Sequence, residues 1–186
     1  MMSYRYLLFF IFFFISASYA GVAKDAIVCN QEYALCTSAP CIPDPRHPDY
    51  AICSCDVEQG DSVGYKKCGK RAPRQAAFKV KKVISTFSFK QFNHKKSLTC
   101  PRGKPWTDCV DAPCTVDPMN AKKAICSCKI KHEQTFVTFG GNCDLSTCST
   151  GFWSGSMLSS SAALRKALLE KLNITENPWT KIACPL

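Results

Sequence analysis

Fourteen cysteines in 186 residues place sulfur chemistry first. Three uses are open to them: structural disulfides, soft-metal ligation by thiolates, and dithiol redox exchange. Their spacing separates the three. The pattern C-x4-C-x11-C-x-C occurs twice, at Cys36, Cys41, Cys53 and Cys55 and again at Cys109, Cys114, Cys126 and Cys128. A zinc site wants C-x2-C or histidines at matched spacing, but no CxxC occurs, and His47, His94 and His132 do not correspond between the two copies. A catalytic CxC pair is hard to reconcile with its duplication. The expectation is therefore disulfides throughout, with no metal and no cofactor.

Other catalytic constellations are weak. Gly151-Phe152-Trp153-Ser154-Gly155 reads G-x-x-S-G rather than the G-x-S-x-G elbow, and a serine with His132 and Asp144 is a trio that any chain of this length offers. Asp44 and Asp117 are the only carboxylates at matched places in the two copies. A glycosidase would need such a pair across a cleft, whereas Asp-Pro turns explain both without chemistry. Glycine loops that cradle phosphate are absent, and Asn173-Ile174-Thr175 is a glycosylation sequon. No catalytic residue is assigned, and the expectation is a protein that is not an enzyme.

Charge marks one further candidate. Residues 71–99 hold Arg71, Arg74, Lys79, Lys81, Lys82, Lys90, Lys95 and Lys96 with no acid, and also Phe78, Phe87, Phe89 and Phe92. Lysines and arginines so clustered attract phosphates and other anions, while the phenylalanines pack inward or stack on a ligand. These eight basic residues are the candidate anion-binding set. The partners it fits are an anionic lipid, an acidic glycan or an acidic protein.

The elements that must position these residues follow from an internal repeat. Residues 36–55 (CTSAPCIPDPRHPDYAICSC) and 109–128 (CVDAPCTVDPMNAKKAICSC) match at 11 of 20 positions with an offset of 73 and no gap. The match extends outward to Cys29 with Cys100 and Cys68 with Cys143. Six cysteines fall in each module, 29, 36, 41, 53, 55, 68 and 100, 109, 114, 126, 128, 143, leaving Cys148 and Cys184. Three bridges per module and a seventh, Cys148–Cys184, account for all fourteen. If AICSC is a strand, Cys53 and Cys55 share a face, as do Cys126 and Cys128, and the two of each pair must reach different partners.

Residues 1–20 read as a secretory signal, with Arg5 before the apolar run Leu7–Ile15 and Ser18-Tyr19-Ala20 as the cleavage site. Nine apolar residues are too few to span a bilayer, so no integral membrane span is expected after signal removal. The expected location is secreted or periplasmic, where thiols oxidise. Without residues 1–20 the chain keeps 23 basic and 14 acidic side chains, and its cysteine content is that of a disulfide scaffold.

The domains expected are a signal peptide at 1–20, Cys-rich module 1 at 21–70, a basic linker strand with a bulge at 71–99, Cys-rich module 2 at 100–148, and a tail at 149–186. Prolines 40, 43, 45 and 48 favour extended, turn-rich chain, and glycines beyond each CSC fit hairpins. In the tail, Ser159-Ser160-Ser161 can cap a helix over about 159–172 whose Leu164, Leu168 and Leu172 pack on module 2. The fold class is small and disulfide-rich, mostly β and irregular: two tandem homologous Cys-rich modules plus one C-terminal helix. A disulfide-stapled binding protein meeting an anionic partner is the leading functional expectation. A hydrolase or inhibitor with its site in the loops after each CSC, and a structural envelope protein, are the alternatives.

Overall fold

A computed structural model of the chain describes residues 25–92, 95–140, 143–181 and 183–184. The signal peptide expected at 1–20 lies outside these, as does His94. Residues 25–92 form β1 (Ile27–Leu35), β2 (Pro40–Pro43), β3 (Tyr50–Gly64), the short α1 (Cys68–Arg71), β4 (Arg74–Gln75) and β5 (Lys81–Thr86), the last two in the segment read as linker. The following residues form β6 (Leu98–Cys100), β7 (Trp106–Asp108), β8 (Pro113–Asp117), β9 (Asn120–Lys131) and β10 (Phe136–Thr138), then β11 (Phe152–Met157) and α2 (Leu158–Lys171) in the tail. The fold is disulfide-rich and mostly β, with paired clusters of bridged cysteines and a C-terminal helix.

The AICSC block explains the centre. In β3 and β9 the side chains alternate: Ala51, Cys53 and Cys55, like Ala124, Cys126 and Cys128, are buried, while Ser54, Ile125 and Ser127 face out. The two strands pair antiparallel with Cys53 opposite Cys126, which is its own repeat mate. A pseudo-twofold axis therefore passes through that pair. Every neighbouring pairing obeys it: β2–β3 (Cys41↔Cys53) matches β8–β9 (Cys114↔Cys126), and β1–β3 (Leu35↔Asp56) matches β7–β9 (Asp108↔Lys129).

The segments read as linker and tail complete this symmetry. β5 pairs parallel with β1 (Ala34↔Ser85) and antiparallel with β8 of the other module (Val83↔Cys114). β11 does the equivalent, with β7 (Thr107↔Ser154) and with β2 (Phe152↔Cys41). Two rings of five strands result, β3-β1-β5-β8-β9 and β9-β7-β11-β2-β3, sharing the central pair. Each ring draws strands from both modules.

Sulfur and alanine fill the interior. One core cluster joins Cys36, Cys53, Cys55, Cys109, Cys114, Cys126 and Cys128 with small aliphatic side chains. The bridges Cys36–Cys55 and Cys41–Cys53 recur as Cys109–Cys128 and Cys114–Cys126, and Cys29–Cys68 closes the first module. Cys53 and Cys55 thus share a face and reach different partners. Bridges of the two modules touch, with Cys36 Sγ 3.3 Å from Cys126 Sγ and Cys109 Sγ 3.6 Å from Cys53 Sγ. A crosslink of this kind stabilises by about 2–4 kcal/mol, which compensates for the few large apolar side chains available here.

Several expectations need correction. The remaining bridges are Cys100–Cys148 and Cys143–Cys184, not Cys148–Cys184. A 3-10 turn at Leu145–Cys148 brings Cys148 into the core beside Cys100 and the stacked Trp106–Phe136 pair, at 5.3 Å between rings. The tail lies along β6 instead, where Cys184 N donates to Ser97 O at 2.9 Å, and so it meets Cys143.

The linker is not one bulged strand either. Phe78 and Lys79 both take φ of 58°, turning the chain so that β4 and β5 form a hairpin with Phe78 98% exposed at its tip. Strand β3 continues to Gly64, so the segment after the first CSC is strand and not a loop. Helix α2 begins at Leu158 without a serine cap, and Leu164 and Leu168 pack on Val63 and Phe87 of the first module. The reason is β11, which crosses to β2 and delivers the helix to that side. Leu172 lies beyond the helix and is exposed.

Candidate anion-binding groove

The eight basic residues of the linker meet different fates. Arg71 is fully buried: its Nη2 donates to Ile27 O at 2.8 Å and contacts Cys29 Sγ. Burial lowers its pKa, opposed by the Asp111 carboxylate. Lys81 and Lys90 are neutralised by Glu32 and Glu58 at 2.6 and 2.7 Å. Lys95 bonds Ser38 Oγ, Lys96 reaches Lys181 O at 3.3 Å, and Lys79 is exposed on the hairpin tip. Only Arg74 and Lys82 come together, in a surface groove of about 840 Å³.

The groove has an apolar floor and a cationic rim. Strands β3, β5, β8 and β9 provide Ile52, Val83, Ile84, Pro113 and Ile125, and Ile125 remains 48% exposed. Arg46, Lys66, Lys70, Arg74 and Lys82 stand around it with one carboxylate, Asp44. Among the described residues, none of the five cations forms an ion pair. Asp44 is already engaged, accepting from Arg46 N at 2.9 Å and from His47 Nδ1 at 3.1 Å, and these bonds hold its carboxyl below the usual range. Arg74 lies directly across from Lys82 in the β4–β5 hairpin. Like charges so placed are destabilising, so the local fold does not call for this pair.

The rim is held rigidly. Asp111 Oδ2 accepts from the backbone N–H groups of Tyr65 and Lys66 at 2.8 and 2.9 Å, and Lys66 Nζ donates to Asp111 O at 2.8 Å. Bridge Cys29–Cys68 and the buried Arg71 then dock α1 on β1. Sequence reasoning missed Lys66 and Lys70 because the module boundary was drawn at residue 70. The basic run in fact begins at Lys66, and that signal was available. Arg46 follows an Asp-Pro turn and carries no local signal.

The other constellations are accounted for structurally. Ser154 is buried, donating to Cys36 O and accepting from Ala39 N at 2.8 Å. Asp144 caps the 3-10 turn through Ser146, and His132 is exposed. Asp117 accepts from Met119 N at 2.8 Å as Asp44 does from Arg46 N, so both Asp-Pro sequences build turns. Two sets of sulfur atoms lie close enough to hold a metal ion, Cys36/Cys114/Cys126 and Cys53/Cys109/Cys128, but all six atoms are in disulfides and present no thiolate. A second cavity of about 790 Å³ lies between Asp108, Asp111 and the start of α2. Burial raises the Asp108 pKa there, moderated by a bond from Val110 N. Among the described residues no helix is long and apolar enough to cross a membrane. No family model, no curated protein and no solved structure matches this chain.

Proposed function

We propose that the chain is an exported, non-enzymatic binding protein that holds an anionic partner at the groove between α1 and the β5–β8–β9–β3 floor. One observation carries the reading: five cations gather there without an ion pair, whereas Lys81, Lys90 and Lys123 elsewhere each have a carboxylate within 2.7 Å. Uncompensated charge over a rigid frame raises the local concentration of anions. Export rests on the leader at 1–20 and agrees with a chain whose described cysteines are all bridged.

The expected outcome is retention of the protein, processed at Gly21, on heparin at low salt, falling steeply as salt screens the contact. Combined Lys70→Glu, Arg74→Glu and Lys82→Glu substitution abolishes the retention, whereas Lys81→Gln with Lys90→Gln leaves most of it. Passage of the unsubstituted protein through heparin unretained at low salt sinks the reading.

A further inference from the structure

We propose that this groove is a site for one single-chain anionic amphiphile, its alkyl chain on the aliphatic floor and its head among the rim cations. This deepens the anion-binding reading and rests on it. The floor is what an anion alone would not require: Ile52, Ile84, Pro113 and Ile125 line the groove under the charges, with Ile125 half exposed, while Val83 backs them from the core. A volume of about 840 Å³ falls within the range of small-ligand sites. Lysine and arginine heads held at the edge of an apolar trough complement a molecule that is apolar along its length and charged at one end.

The pseudo-twofold supplies an internal comparison. Part of the floor recurs at the mate positions: Ile52 with Ile125, and Pro113 with Pro40. Arg46, Lys82, Val83 and Ile84 do not recur. Val83 and Ile84 pair with Cys114 and Pro113, and at the equivalent places Phe152 and Trp153 pair with Cys41 and Pro40. Where the groove has Arg46 and Lys82, the other half has Met119 and Gly151. One half thus builds the same ring without those two cations and with large rings in place of the small aliphatics. Arg46, Lys82 and the space above Ile84 are thus features of one side that the repeated frame does not itself require.

Calorimetric titration of the oxidised protein tests this with dodecyl phosphate below its micelle concentration, inorganic phosphate and dodecyl maltoside. Dodecyl phosphate is expected to bind at one per chain, about tenfold or more tighter than either other probe, because only it engages floor and rim together. Ile125→Asp and Lys70→Glu, both at exposed positions, are each expected to weaken it about tenfold or more, whereas Leu145→Asp, exposed on the 3-10 turn outside the groove, leaves it unchanged. Unaltered circular dichroism confirms that the variants fold, and either one alone suffices for the test.

Inorganic phosphate binding as tightly as dodecyl phosphate, on protein still retained by heparin, overturns the amphiphile and leaves the anion site standing. Dodecyl maltoside binding equally well overturns the anionic head. Multiple binding insensitive to both substitutions also overturns the proposal, as does tighter binding of a hexaglutamate peptide titrated in the same way. Loss of heparin retention as well removes the parent reading with it.

Discussion

The Tyr33 phenol is buried, and its hydroxyl donates to Ser88 Oγ at 2.7 Å. Burial pushes its pKa up to about 12, the bond to Ser88 partly opposing. Between its ordinary value near 10 and this raised value, the unfolded chain ionises while the folded one does not. The folded state binds the extra proton, so stability is complete below pH of about 10 and falls as pH rises through the window. The fall should reach on the order of 2 kcal/mol at its upper end. Urea unfolding of the oxidised protein at pH 8 and near pH 11.5 measures it. Tyr33→Phe should remove this part of the fall while costing about 1 kcal/mol at pH 8, where Ser88 loses its donor. Equal midpoint changes in the two proteins would contradict the assignment. Arg71 shows the same dependence on surroundings. Set in a run of cations it reads as solvated, but the Cys29–Cys68 bridge draws α1 onto β1 and buries it.

Strand β11 is the element that the repeat conceals. Gly155 sits opposite Asp108 of β7, and a Cβ there would lie 2.6 Å from the carbonyl oxygen of Val137 in β10. Backbone cannot yield as a side-chain tip does, so Gly155→Ala should destabilise by about 1–3 kcal/mol. The urea midpoint reports it, and an unchanged midpoint means that β10 does not approach as described. The sequence disclosed the central ladder because AICSC alternates and is duplicated without change, which fixes both the buried face and the cysteines on it. It did not disclose that β5 and β11 are equivalent. KKVIST and FWSGSM share one aligned residue, Ser85 with Ser154, and their offset is 69 instead of 73. Parallel pairing of distant segments leaves no mark in local periodicity. The candidate site was half visible for a related reason: Arg74 and Lys82 lay in the basic run, while Arg46 joins them only through the fold.

The two rings make the modules interdependent. Ring closure around β3-β1-β5 requires β8 and β9, and closure around β9-β7-β11 requires β2 and β3. Because Cys53 faces its own repeat mate across the axis, the contact is isologous in kind: the same surface meets itself. One module supplied twice could therefore satisfy all the pairings of both rings. Residues 25–92 expressed alone and oxidised should form a twofold dimer, with β3 pairing its copy about Cys53 and each β5 crossing to the other chain's β2. The dimer should be less stable than the full chain, because α2 no longer covers Val63 and Phe87. Sedimentation equilibrium gives the mass, and disulfide mapping should recover Cys29–Cys68, Cys36–Cys55 and Cys41–Cys53 within each copy. A folded monomer with these three bridges would show that one module closes its own sheet, and the interlocked account of this architecture would fall with that result.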